Sequence, residues 1–115
     1  GTGQGDNSIA IGAGSGNTSQ GSASVALGAN AGNQSQANAA VAIGANAGQN
    51  SQGLNSVAIG SGASINNQGI NSISIGVASN STGNTATALG AEYERELVHR
   101  DDLSLIYLSS TNFCC

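Results

Sequence analysis

A short apolar segment that ends in glycine recurs along most of the chain. It reads NSIAIG from residue 7, ASVALG from 23, AAVAIG from 39, NSVAIG from 55, NSISIG from 71 and TATALG from 85. In most copies large aliphatic residues alternate with small ones, which is the two-residue period of a β-strand. The closing glycines are Gly12, Gly28, Gly44, Gly60, Gly76 and Gly90, spaced 16 residues apart except for a last step of 14. A fixed period of this length predicts the stacked coils of a repeat protein.

Each coil has room for two short strands and two turns, which predicts an all-β fold: a narrow parallel β-roll (solenoid) of about six 14–16-residue coils. The apolar segment is the first strand, and its glycine closes it where the turn requires positive φ. The second strand is marked by a small residue three positions after each glycine and by a glutamine further on. Stacked coils bring equivalent residues within about 4.8 Å of each other, so we expect the amides to hydrogen-bond along the stack. This predicted glutamine ladder consists of Gln20, Gln36, Gln52 and Gln68.

Both faces of the first strand are apolar, so one must be covered by something outside the coil. We expect the larger residues to fill the interior as core rungs: Ile9, Ile11, Val25, Leu27, Val41, Ile43, Val57, Ile59, Ile73, Ile75 and Leu89. The small residues between them would then form an outward trimer face: Ala10, Ala26, Ala42, Ala58, Ser74 and Ala88. An uncharged apolar row on a small domain predicts association of identical rolls about a symmetry axis. The reverse arrangement, with Val and Ile on the axis, stays open at this point.

Composition divides the chain into two parts. Of the charged residues only Asp6 precedes Glu92, and all three aromatic residues follow it. We therefore expect a β-roll repeat domain at 1–91 and a C-terminal cap or tail at 92–115, because the open end of a repeat roll needs an atypical terminal unit.

Within this tail the pattern predicts a short helix at 91–100 and a last strand at 103–108. The adjacent Cys114 and Cys115 are either free thiols or links between subunits, since a bond between neighbouring residues is strained. The chain does not begin with Met, and we expect it to be a processed or excised segment.

Several function classes are disfavoured. The single histidine, His99, lies in a charged surface segment, and the adjacent Asp101 and Asp102 point apart, so no catalytic residues, metal site or cofactor are predicted and the protein is not expected to be an enzyme. A net charge of −4 with two arginines and no lysine argues against a nucleic-acid partner. No apolar run is long enough to cross a membrane, so no direct membrane insertion is expected. Three N-x-S/T sequons begin at Asn17, Asn33 and Asn80.

The NSVAIG rungs, repeated at 14–16 residues with a small residue three positions after the glycine, resemble the YadA-like head repeats of trimeric autotransporter adhesins over about residues 7–90. This resemblance implies a left-handed parallel β-roll that assembles as a homotrimer at the tip of a surface fibre. Similar 16-residue units containing Ser-Gln-Gly occur in fibre-like proteins of viruses and phages. The family usually has a shorter coil and a coiled-coil stalk after the head, whereas no heptads follow the repeats here.

Three functions fit these observations to different degrees. The first is a non-enzymatic surface fibre or adhesin head that attaches to a host surface or matrix ligand of unknown identity. The alternative is a structural fibre or spike of a virion or phage. An ice-binding solenoid is the remote alternative, since it needs a flat threonine row where this chain has Thr18, Gln34, Asn50 and Asn66. In the first two cases the protein is extracellular, at a cell surface or a virion surface.

Overall fold

The computed structural model of this chain describes residues 2–90, which form an all-β parallel solenoid of about five turns. Its strands are three residues long and alternate along the chain between two sheets, except where the last coils lack the second strand. The strands are β1 (Thr2–Gln4), β2 (Ile9–Ile11), β3 (Thr18–Gln20), β4 (Val25–Leu27), β5 (Gln34–Gln36), β6 (Val41–Ile43), β7 (Asn50–Gln52), β8 (Val57–Ile59), β9 (Ile73–Ile75) and β10 (Thr87–Leu89).

The first sheet has six strands in the order β10-β9-β8-β6-β4-β2, and the second has four in the order β1-β3-β5-β7. All of the pairings are parallel, and the register equals the repeat, so that Ala42 pairs with Ala26 on one side and with Ala58 on the other. Equivalent residues of successive coils therefore form straight rows along the solenoid axis. This register is the stacking that the sequence period predicts.

The turn that follows each first strand depends on its glycine. Gly44 and Gly60 both have φ of +122°, a region that residues with a side chain rarely adopt. The stack adds a second constraint, because a Cβ on Gly44 would lie only 2.7 Å from the carbonyl group of Gly60 in the next coil. All six predicted turn glycines have positive φ.

The space between the two sheets is lined by small side chains, and the expected assignment of the two strand faces is wrong. Ala26, Ala42 and Ala58 are fully buried and form a cluster with the alanines of the facing row. The large residues of the same strands lie on the outside, where Ile11 is 59% exposed and Leu89 is 57% exposed.

The physical reason for this reversal is the narrowness of the coil. A Cβ placed on Gly48 would lie 3.3 Å from the Ala42 Cβ across the interior, so the sheets leave room for methyl groups and not for branched side chains. The residues predicted as core rungs therefore occupy the outer face of the first sheet: Ile9, Ile11, Val25, Leu27, Val41, Ile43, Val57, Ile59, Ile73, Ile75 and Leu89. The residues predicted as the trimer face occupy the inner one: Ala10, which is half-buried at the first rung, and the buried Ala26, Ala42, Ala58, Ser74 and Ala88.

The four glutamines are buried in one row, but their amides cross the interior and do not bond along the axis. Gln20 Nε2 donates to the Ile9 carbonyl oxygen at 2.8 Å, and Gln36 Nε2 donates to that of Val25 at 2.7 Å. The other two make the same bond, Gln52 to Val41 and Gln68 to Val57. The first three bonds link the second sheet to the first-sheet strand of the same coil, and Gln68 makes the same link from the segment beyond the end of the second sheet. The expected axial ladder is thus replaced by cross-braces, since the narrow interior brings the opposite backbone within reach of each amide.

The last complete coil, from Gly76 to Gly90, is two residues shorter than the others and contains no glutamine. Buried serines bond at its boundary with the preceding coil: the hydroxyl of Ser74, in that preceding coil, lies 2.6 Å from that of Ser64 and 2.7 Å from that of Ser81. The second sheet ends nearby, in a single bridge between Asn50 and Asn66. The predicted cap at 92–115, with His99, Cys114 and Cys115, lies outside the described residues.

Candidate interaction surface

The outer face of the six-stranded sheet is an apolar surface, which we call the rung face. Each strand contributes its first and third residue, and only one of these positions is polar: the rung face consists of Ile9, Ile11, Val25, Leu27, Val41, Ile43, Val57, Ile59, Ile73, Ile75, Thr87 and Leu89. Its members are half-buried or exposed in the single chain. No charged residue lies on it, because Asp6 is the only charged residue before Glu92.

The rung face runs along the whole six-stranded sheet. Six rungs at the inter-strand spacing extend roughly 29 Å along the axis, and three residues of strand give a width of roughly 10 Å, hence roughly 300 Å² in projection. This area lies in the range of the largest apolar patch on a typical soluble monomer, and such patches are often functional. The rung face is therefore the principal candidate for a contact with another chain.

The opposite side of the roll, which we call the polar face, has a different chemistry. It is formed by the outward residues of the four-stranded sheet: Thr18, Ser19, Gln34, Ser35, Asn50 and Ser51. Its side chains are hydroxyls and primary amides, and Asn50 Nδ2 donates to Asn66 Oδ1 of the next coil at 2.8 Å. Such groups hydrogen-bond to water or to a polar ligand. The roll therefore has one apolar face and one polar face.

Two exposed rows of turn residues border the rung face. The leading corner, three residues before each rung, consists of Asp6, Ser22, Asn38, Leu54, Ile70 and Asn84. The trailing corner, two residues after each rung, consists of Ala13, Ala29, Ala45, Ser61 and Val77. Most of these residues are small or polar, but Leu54, Ile70 and Val77 are 41%, 43% and 65% exposed.

The described residues offer little else for chemistry. Within residues 2–90 no three His, Cys, Asp or Glu side chains are grouped so that they could hold a metal ion. The same part of the chain contains no helix with the length and apolar character needed to cross a membrane.

An open cleft of about 210 Å³ lies between the last two coils, lined by Gly62, Ile65, Asn66, Ala78, Ser79 and Asn80. None of these lining residues titrates near neutral pH.

The sequons differ in accessibility. Asn17 is exposed in the turn that precedes β3, whereas Asn33 and Asn80 are half-buried. Asn33 Nδ2 donates to the Gly14 carbonyl oxygen at 2.6 Å, which ties this side chain to the neighbouring coil. Asn17 is consequently the most accessible of the three predicted acceptor positions.

The sequence pattern did not identify the rung face as the exterior surface, because both faces of the strand are apolar. One signal in the sequence pointed to it: the small residue three positions after each glycine, as in Ala31, Ala47 and Ala63, lies opposite the Ala26, Ala42 and Ala58 row. Two facing rows of methyl groups fit a narrow interior, whereas a branched row against a methyl row requires a wider one.

Residues 48–64 and 68–92 match the family model of the YadA head domain repeat, in two copies. The chain thus contains YadA head domain repeats, and the resemblance found in its sequence is confirmed at these residues, which are less than half of the chain. No curated protein and no solved structure matches the chain.

Proposed function

We propose that this chain, which contains YadA head domain repeats, is the head module of a trimeric surface adhesin. Three copies associate through their rung faces and direct their polar faces outward. The module is non-enzymatic, extracellular and located at a cell surface. The family match supports this context, and the apolar rung face on an otherwise uncharged roll is the observation that carries the proposal.

A trimer about an axis parallel to the solenoid covers the rung face of every protomer. Each rung except that of β10 then contributes two aliphatic side chains from each of three chains, so that a column of branched residues fills the axis. The alanine interior of one roll buries few carbon atoms per residue, and burial of a CH₂ group contributes about 0.8 kcal/mol. Association therefore supplies the larger apolar core that the single roll lacks.

The polar face is the surface that remains available for attachment. In a trimer it is repeated three times around the axis and about every 4.8 Å along it. Repetition of a weak contact on one rigid body raises the overall avidity without any single strong site. An adhesin of this kind binds an extended partner, such as a host matrix protein, through many hydroxyl and amide contacts.

A structural fibre of a virion or phage is a second candidate, favoured by the Ser-Gln-Gly unit at 19–21 and 51–53. The geometry gives each residue of this unit a structural role: Ser51 has φ of +57°, Gln52 is the cross-brace, and a Cβ on Gly53 would lie 2.4 Å from the next coil. A fibre needs the same trimer but no ligand on its polar face.

The oligomeric state tests what both candidates share. Light scattering of the full chain should give about three times the monomer mass of 11.1 kDa, whereas a monomer at micromolar concentration would overturn the proposal. Ile59→Glu should dissociate the trimer, because it places three carboxylates close together on a dry axis. The matched control, Gln34→Glu on the polar face, should leave the mass unchanged.

Attachment separates the two candidates. The purified trimer is passed over surfaces coated with extracellular-matrix proteins, and intact cells and virions of the source are labelled with antibodies against it. Retention on a coated surface together with labelling of cells is expected for an adhesin. Labelling of virions without retention on any coated surface would replace the adhesin with the virion fibre.

A further inference from the structure

Among the rungs with both corners described, β9 is the one with a large apolar residue at each corner. Ile70 on the leading corner and Val77 on the trailing corner are both large, apolar and exposed, at 43% and 65%. In the other rungs with both corners described, the trailing corner is a small residue, and the leading corner is polar except at Leu54. These pairs are Asp6 with Ala13, Ser22 with Ala29, Asn38 with Ala45, and Leu54 with Ser61. Both side chains leave a large apolar area open to solvent in the single roll.

The cyclic symmetry of a trimer brings opposite corners together. In a ring the contact between neighbours is heterologous, so that one edge of each protomer meets the other edge of the next. The symmetry axis runs along the stack, and residues of the same rung are therefore at the same height. The leading corner of a rung in one protomer consequently faces the trailing corner of the same rung in its neighbour.

The rung face by itself specifies the axial position of a protomer poorly. Its rows contain Val, Ile or Leu at almost every rung, so a protomer displaced by one coil, about 4.8 Å, still places aliphatic residues against aliphatic residues. Interfaces built on repeated positions need a distinctive residue to set their register, as the single polar core residue of a coiled coil does. The corner pair of β9 is a distinctive feature of this kind.

We propose that Ile70 of each protomer packs against Val77 of the next, and that this contact fixes the axial register of the trimer. The inference rests on the proposed trimeric function and names the residues that align it. A protomer displaced by one coil breaks the cyclic symmetry and loses this contact. In one direction Ile70 lies beside Ser61 and Val77 beside Asn84, and in the other direction Val77 lies beside Leu54. In the aligned trimer the two exposed side chains cover each other three times around the ring.

Disulfide trapping tests this contact in the full chain with Cys114→Ser and Cys115→Ser as the background. Ile70→Cys and Val77→Cys are combined and oxidised with copper-phenanthroline. Strand β9 separates the two positions within one protomer, beyond the reach of a disulfide, so bonds form only between protomers and close a covalent trimer on a non-reducing gel. Each single variant should remain monomeric on the gel. The control pair Ile70→Cys with Ala45→Cys, two rungs apart, should give no covalent trimer.

The outcomes separate this inference from the proposed function. A trimeric mass in light scattering without cross-linking of the 70/77 pair, or with equal cross-linking of the 45/70 pair, overturns the register contact and leaves the trimer intact. A monomeric mass of the background protein overturns both.

A second pair of cysteines, placed on a rung away from the proposed contact, reports the axial register of the trimer. Ser22→Cys with Ala29→Cys, at rung β4, should also give covalent trimers. When Ile70→Ser and Val77→Ser are added to this reporter pair, the yield of covalent trimer should fall several-fold while the light-scattering mass stays trimeric. An unchanged yield would show that these two side chains do not set the register.

Discussion

Gly48 and Gln52 occupy one space inside the roll: a Cβ on Gly48 would lie 2.8 Å from both Cδ and Oε1 of Gln52. The same relationship recurs between Gly32 and Gln36. The absence of a side chain at Gly48 leaves the space that the Gln52 amide fills as it crosses to the first sheet. The spacing Gly-x-x-x-Gln is a packing unit of three coils, and in the fourth Gln68 makes the same crossing with Ser64 four positions before it.

Gly48→Ala should destabilise the protein by about 2–4 kcal/mol. The new methyl group overlaps the buried amide, and alanine is strained at the native φ of +52°. Urea unfolding at one fixed protein concentration measures the loss, since stability of an oligomer depends on concentration.

Gly62→Ala is the matched control for the steric part of this effect. Gly62 also has positive φ, +73°, but the nearest atom to its added Cβ is 3.5 Å away. We expect this variant to lose only the backbone contribution of about 1 kcal/mol. Equal losses for the two variants would show that the Gln52 amide does not fill the space beside Gly48.

Gln52→Ala should cost about 2–4 kcal/mol, because it removes the bond to the Val41 carbonyl oxygen and leaves a cavity between the sheets. Gln34→Ala, on the exposed polar face, should change stability by less than about 0.5 kcal/mol. Thermal melts of both variants at equal concentration make the comparison. If Gln52→Ala melts like the wild type, the glutamine is not a brace.

Ala42→Leu should prevent folding or destabilise the roll by about 3 kcal/mol or more, since three extra carbon atoms enter an interior that holds only methyl groups. Ile43→Thr, on the rung face next to it, should keep the parallel β-fold and weaken only association. Circular dichroism reports the fold, and light scattering reports the mass. The opposite pattern, with Ala42→Leu tolerated and Ile43→Thr unfolded, would reverse the assignment of the two faces.

Ala39→Asn should stabilise the protein by about 0.5–1 kcal/mol. Ala39 has φ of +58°, and the equivalent residues Asn55 and Asn71 have φ of +57° and +56°. Asparagine tolerates this left-handed conformation better than alanine does. The melting temperature should rise in a scan at fixed concentration.

Ala45→Asn provides the comparison for this stabilising change. Ala45 is also exposed, but its φ is not positive, and the substitution there should leave the melt unchanged or slightly lower. A similar rise for both variants would mean that the added amide, and not relief of backbone strain, causes the effect.

The sequence by itself determined the repeat, the two-strand coil and the register. Gly44 and Gly60 mark the turns because only glycine combines a positive φ with contact between stacked backbones. Once these turns recur every 16 residues, parallel stacking places Ala42 beside Ala26 and Ala58 without any further information.

Tertiary structure decided which face of the strand is inside and what the glutamines do. Hydrophobicity ranks Ile43 above Ala42 as a core residue, but the distance between the two sheets, a property of the whole coil, admits only the methyl group. The direction of Gln52 depends on the same distance, because its amide reaches the Val41 carbonyl oxygen only when the sheets are close. The alternation of side chains along a strand is visible in a local sequence pattern. The width of the interior is set only when the complete coil closes.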